Sequence, residues 1–209
     1  MTETVIVIDF ETTGLSPFAG ARATEVAAVR IVGNEIADSF QSLMNSGARV
    51  PQEIVRLTGI TDTMLRTAPP AQRVMRQLLD FVGTAPLVAH NASFDRSFFE
   101  SECGHAGLKA AHSFTCTMKL ARRVYPRSPN FKLKTLLEYA DIPHSEKMHR
   151  AMADAVATAR LWLQMQQDLC SKYRLDRLGY NQVERVTKLR IADVARTLGS
   201  WGGKTDGHC

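Results

Sequence analysis

The chain opens on an unbroken apolar run, Val5-Ile6-Val7-Ile8, followed by Asp9-Phe10. A β-branched run of this length is too short for a helix and predicts a buried strand. A loop follows, marked by Gly14, Ser16, Pro17 and Gly20. A second strand is predicted from Val26 to Val32. Gly33-Asn34 is a two-residue hairpin signal, so Ile36 to Leu43 is expected to return antiparallel. The period then changes. Between Pro70 and Val82 there are apolar residues at 74, 75, 78, 79 and 82, which is the spacing of one helix face. Pro86-Leu87-Val88-Ala89 predicts a short buried strand, and a helix follows from about Ser93 to Gly104. Further helices are predicted over Cys116 to Val124 and Leu133 to Ala140, with Pro126 and Pro129 breaking the chain between them. Ala151 to Leu169 is rich in Ala, Leu, Met and Gln and predicts a long helix. Val183 to Leu198 reads as one amphipathic helix, and the glycine-rich stretch from Trp201 to Cys209 is expected to fray. Strands first, then strand–helix alternation, indicate an α/β domain with a mixed sheet.

Length and composition narrow this reading. The 209 residues suit one domain of roughly 150–200 residues plus a short extension. The 44% hydrophobic and 22% charged residues exclude wholesale disorder. The expected division is a domain over residues 1–171 and a basic, partly helical extension over residues 172–209. The formal charge of +5 is unevenly placed. Residues 1–171 carry 18 basic and 17 acidic side chains, whereas residues 172–209 carry 8 and 4. Between Glu102 and Glu138 there is no acid. That stretch holds Lys109, Lys119, Arg122, Arg123, Arg127, Lys132 and Lys134. Such a run is either solvated surface or a track for a phosphate backbone.

The four cysteines, Cys103, Cys116, Cys170 and Cys209, form no Cys-x-x-Cys pair, which excludes a zinc ribbon or a thioredoxin-like motif. The N-terminus lacks the basic start and long apolar stretch of a signal peptide. No segment approaches the roughly 20 apolar residues of a membrane span. The expectation is a cytoplasmic protein without a membrane partner.

The chemistry lies in the acids. Asp9 and Glu11 sit at the end of the first predicted strand, two residues apart and therefore on one side of it. Two carboxylates beside a core repel, and a hard divalent cation with oxygen ligands is the natural compensation. Asp95 falls at the start of a helix, in His90-Asn91-Ala92-Ser93-Phe94-Asp95. Asp154 lies in the long last helix among small apolar residues, Ala151-Met152-Ala153-Asp154-Ala155, with His149 five residues earlier. Each group alone has a structural reading: a polar strand end, charge complementarity at a helix N-terminus, a surface position. Four acids converging on a pair of divalent metals would suit in-line phosphoryl transfer to water. A histidine would take the proton from that water.

These three strings together, Asp9-Phe10-Glu11-Thr12-Thr13-Gly14, His90 to Asp95, and His149-x4-Asp154, resemble the signature of the DEDDh 3′→5′ exonucleases. This is the DnaQ-like, epsilon-type group with a ribonuclease H-like fold. Leu57-Thr58-Gly59-Ile60 resembles a further family segment, and the resemblance spans about residues 4–165. It implies a five-stranded mixed sheet flanked by helices and two Mg²⁺ or Mn²⁺ ions. It implies that Asp9 bridges both metals, that Glu11 and Asp154 complete one site, that Asp95 holds the second, and that His149 is the general base. Thr12, Thr13, Gly14 and Leu15 would cradle the 3′-terminal nucleotide, with Asn91 and Phe94 lining the same pocket. A tyrosine-type relative would carry Tyr where this chain has Arg150. The implied substrate is DNA, at a single-stranded 3′ end, in proofreading or repair. RNA as substrate, and a DNA polymerase subunit as partner, stay open at this stage. A catalytically idle nucleic-acid-binding module is the rival from another class.

Other motifs fail on their context. Gly203-Lys204-Thr205 lacks the upstream glycine of a phosphate loop, because Leu198 stands there. Ile191 to Gly199 resembles the start of a helix-turn-helix, but too few residues follow for a recognition helix. No Gly-x-Ser-x-Gly elbow is present.

Overall fold

The computed structural model describes residues 3–109, 111–144 and 149–202. Five strands form one sheet: β1 (Thr4–Thr12), β2 (Ala23–Val32), β3 (Glu35–Leu43), β4 (Leu87–Ala89) and β5 (Phe114–Cys116). Their order is β3-β2-β1-β4-β5. β1, β2 and β3 pair antiparallel, whereas β4 pairs parallel with both β1 and β5. The mixed five-stranded sheet expected from the sequence is therefore present.

Alternation along β1 divides the interior in two. Ile6, Ile8 and Phe10 face a core built with α3 (Ala71–Val82) and α4 (Ser93–His105). Val5 and Val7 face the opposite core, built with α5 (Thr117–Val124), α6 (Leu133–Tyr139) and α7 (Ala151–Tyr173). The period of two continues to Asp9 and Glu11, which carries both acids to the α7 side. The β1–β2 register slips between Glu11 and Thr12, so the strand ends in an irregularity just past the acids.

Several elements differ from the sequence expectation. β5 is only three residues long, and Cys116 ends it rather than opening α5. Two short helices, α1 (Gln52–Thr58) and α2 (Asp62–Thr67), occupy a stretch with no helical periodicity long enough to announce them. Around them Val50, Ile60 and Leu65 form a small separate core. The single helix expected over Val183 to Leu198 is two, α8 (Tyr180–Lys188) and α9 (Ile191–Gly202). Leu189 is extended between them, with ψ 153°, and its carbonyl accepts Arg123 Nε at 3.0 Å and Nη2 at 2.8 Å. That side chain satisfies a carbonyl a continuous helix would have bonded itself. Tyr180, Val183, Val186, Val194 and Leu198 join the α7-side core, so α8 and α9 are packed elements. Trp201 and Gly202 end α9, while the expectation of fraying over residues 203–209 lies outside the described residues. Among the described residues no helix is long and apolar enough to cross a membrane.

Candidate active site

Three elements deliver the acids to one end of the sheet. β1 presents Asp9 and Glu11. The parallel neighbour β4 leads through Asn91 into α4, whose first turn carries Asp95. The first turn of α7 carries Asp154. Asp9, Glu11 and Asp154 each offer a carboxylate oxygen, and these oxygens lie within 4.8 Å of one another. Asp95 stands beside this trio rather than within it, and its Oδ1 accepts the backbone N–H of Phe10 at 3.1 Å. That bond ties the start of α4 to the residue between the two β1 acids.

The cluster is electrostatically loaded. Burial, and then the charges of Asp95, Asp154 and Glu11, raise the carboxyl of Asp9 well above its ordinary range. Burial, followed by Asp154 and Glu25, pushes Glu11 up to about 8. Burial raises Asp95 to about 7 although the N–H of Phe10 opposes it. Burial also raises Asp154, against the N–H and charge of His149. Four acids held this way favour protons unless positive charge arrives. Asp154 shows the need most clearly: its Oδ2 accepts the His149 N–H at 3.0 Å, while its buried Oδ1 has no partner among the described residues. An all-oxygen donor set with an orphaned buried oxygen fits a hard divalent cation.

Of the residues expected to bind substrate, only Asn91 joins the catalytic candidates in the cleft. Asp9, Asn91, His149 and Asp154 line a cleft of about 1020 Å³. Thr12, Thr13 and Gly14 instead shape the loop after β1. Thr12 Oγ1 donates to the Gly14 carbonyl at 2.7 Å, and Thr13 Oγ1 accepts the Arg22 N–H at 2.9 Å. Leu15 and Phe18 on this loop are 90% and 95% exposed. Phe94 packs on Phe98, with ring centroids 4.9 Å apart, against the α4-side core. Neither Leu15 nor Phe94 is among the cleft's lining residues.

The opposite wall of the cleft is not evident residue by residue from the sequence. Arg122, Asn130, Phe131, Lys132, Leu133 and Lys134 line it, all from the acid-free stretch. Arg122 lies over the Phe131 ring at 5.5 Å. His90 fastens this wall to the sheet. Its Nε2 donates to the Phe131 carbonyl at 3.0 Å, which leaves Nδ1 to accept from Thr117 Oγ1 at 2.8 Å. Burial lowers the His90 imidazole to about 4, so the ring is neutral in this tautomer near neutral pH. Glu25 is the other residue that the sequence does not single out. It pairs with Glu11 across β2 and β1, yet its carboxylate is engaged by Arg150, Ala151 and Gln41. An Ala-Thr-Glu-Val string gives no sign of such partners, the furthest 126 residues away.

A mixed five-stranded sheet with an acid cluster at its strand ends and a histidine in the adjoining cleft defines a class of nucleases, and comparison with known proteins narrows it. The exonuclease family model RNase_T matches residues 6–162. The chain is 33% identical over 186 residues to the DNA polymerase III subunit epsilon of Aquifex aeolicus, covering 88% of this chain and 90% of that protein. It is 34% identical over 194 residues to the PolC-type DNA polymerase III of Caldanaerobacter subterraneus, covering 91% of this chain but only 13% of that one. In fold it is similar to exonuclease X solved in complex with 5′ overhanging duplex DNA, with a TM-score of 0.67 and 24% identity over 88% of this chain and 99% of that one. The chain therefore belongs to the exonuclease family, among the DnaQ-like 3′→5′ exonucleases that include the epsilon subunits.

Proposed function

We propose that the protein removes nucleotides one at a time from the 3′ end of a DNA single strand and releases nucleoside 5′-monophosphates. The observation that carries this is the trio Asp9, Glu11 and Asp154, with oxygens within 4.8 Å, of which Asp9 and Asp154 line with His149 a cleft whose other wall is basic. In this reading Asp9, Glu11 and Asp154 hold one divalent cation. Asp9 and Asp95 would hold a second. Mg²⁺ or Mn²⁺ suits these ligands, and when bound it would supply charge stabilisation at the attacking and leaving oxygens.

The chain's own groups do the rest. A water oxygen attacks the terminal phosphorus in line, and His149 accepts its proton. The bond from phosphorus to the 3′-oxygen of the preceding nucleotide breaks. The shortened strand leaves as a 3′-oxyanion that takes a proton from solvent water to become a 3′-hydroxyl, and the released nucleotide keeps its 5′-phosphate. Asn91, from within the cleft, and the loop Thr12 to Leu15 with Phe94, from outside its lining, are the groups assigned to the terminal nucleotide. Arg122, Lys132 and Lys134 take the phosphates upstream of it, which gives the acid-free stretch a use that a merely solvated surface would not have. DNA is preferred because the polymerase III relatives are DNA polymerases by name, and the same similarity makes a polymerase subunit the proposed partner. An idle binding module would have no use for an orphaned carboxylate oxygen facing phosphates.

Matched DNA and RNA oligonucleotides, each 5′-labelled, test the reading in Mg²⁺ or Mn²⁺. Stepwise shortening of DNA from the 3′ end is expected, lost in excess EDTA and in Asp9→Ala. RNA degraded faster than DNA would make the protein an exoribonuclease instead, since the 2′-hydroxyl is the group that differs.

A further inference from the structure

We infer that Glu25, acting through Arg150, is a positioning residue for His149. This rests on the reading of His149 as the general base.

The backbone around His149 needs holding. His149 has φ +70°, a left-handed conformation that side-chain-bearing residues adopt at a cost. Arg150 is extended, with φ −134° and ψ 127°, and provides no side-chain cap for α7. The first N–H groups of a helix have no partner within it. Glu25 supplies one from another strand. Its Oε2 accepts the Ala151 N–H at 3.1 Å and Arg150 Nε at 3.0 Å, and its Oε1 accepts Arg150 Nη2 at 2.7 Å. Gln41 Nε2 donates to the same Oε1 at 2.9 Å and fixes the carboxylate from β3. Glu25 is 1% exposed, so the carboxylate end of these bonds is shielded from water although the Arg150 side chain is 42% exposed. A planar fork meeting a carboxylate on two nitrogens fixes orientation as well as distance.

Two anchors thus bracket the base. Asp154 holds the N–H of His149 itself, and Glu25 holds the two residues after it. Both originate at the catalytic end of the molecule, because Glu25 is the register partner of Glu11. The metal-ligand candidate and the anchor therefore sit on one rung of the sheet, and the base is referenced to the same rung as the reacting phosphate. Both oxygens of Glu25 are committed to this task, which explains why it stays out of the ligand trio while lying beside it.

The test is a kinetic cycle on a 5′-labelled DNA single strand in Mg²⁺, with wild type, Glu25→Gln, His149→Ala and the double variant. Glu25→Gln should lower kcat about 10-fold to 100-fold with KM within about 2-fold, as expected for a misplaced group rather than weakened binding. In the His149→Ala background the same change should cost less than about 2-fold. Equal losses in both backgrounds would make Glu25 a purely structural residue and overturn the inference. Arg150→Lys, at a half-exposed position, covers the case in which Glu25→Gln fails to fold. It keeps the charge and removes the fork, and its loss should likewise vanish without His149; an equal loss with and without His149 overturns the inference. Wild-type kcat in His149→Ala would instead overturn the base assignment, and this inference with it.

Discussion

Asp154 divides its two oxygens: one fixes the backbone of His149, and the other is buried without a partner among the described residues. Asp154→Asn keeps the shape and removes the charge. It should bind metal poorly and lose activity by at least about 100-fold, measured by metal titration and strand shortening. The raised carboxyls carry a pH consequence. Glu11 moves from 4.5 to about 8 and Asp95 from 3.8 to about 7 when no cation is present. A carboxyl raised in the folded state favours folding below its unfolded value, and that contribution is lost as pH climbs through the folded value. The metal-free protein should therefore melt lower at pH 8 than at pH 6.5, a window in which His90 stays neutral. Added Mg²⁺ should raise the melting temperature more at pH 8, with protons released on binding. Thermal denaturation with and without EDTA reads both effects; an apo protein more stable at pH 8 would contradict them. Asp9, Glu11, Asp95, His149 and Asp154 are legible in the sequence because each is a chemically conspicuous side chain beside an identifiable element. Glu25 and His90 are not. Their meaning lies in hydrogen bonds to Ala151 and Phe131, which no local pattern encodes.

Elements are legible in proportion to the length of their periodicity. β1, β2, α3 and α7 each carry enough repeats to declare their type, and α7 also meets the sheet on a fully buried Trp162. Trp162→Ala should destabilise the fold by roughly 3–5 kcal/mol, read by denaturant titration, because the cavity would open between α7 and the sheet. β5 is too short to show alternation, and it exists because β4 offers it a parallel edge. The break between α8 and α9 is set by Arg123 from α5, a tertiary contact that overrides a continuous amphipathic pattern. His90→Ala would cut the wall carrying Phe131 and Lys132 loose from the sheet. It should raise KM for an oligonucleotide several-fold while leaving metal affinity unchanged.

For the molecule as a whole, the net charge of +5 conceals a cleft with one acidic and one basic wall. Divalent cations on Asp9, Glu11, Asp95 and Asp154 would offset the acidic side and leave a surface favourable to phosphates throughout. Replacing Arg122, Lys132 and Lys134 by Gln should raise KM for a long strand. It should also reduce the slope of log affinity against log salt by about 0.7 for each phosphate no longer neutralised. An unchanged slope would assign those cations to solvent. The basic C-terminal segment needs a gentler probe than deletion, since removing α8 and α9 would expose the α7-side core. A single charge-removing change at the exposed Arg174 asks about charge alone, whereas Arg185 also stacks on Trp201 at 5.7 Å.

Incubating a 5′-labelled DNA single strand with the protein in Mg²⁺, and resolving the products by length, tests the proposed activity most directly. The expected result is a ladder that shortens from the 3′ end, with nucleoside 5′-monophosphate as the released product and no reaction for Asp9→Ala or in excess EDTA. Full activity surviving in Asp9→Ala or in EDTA, or products released from the 5′ end, would contradict it.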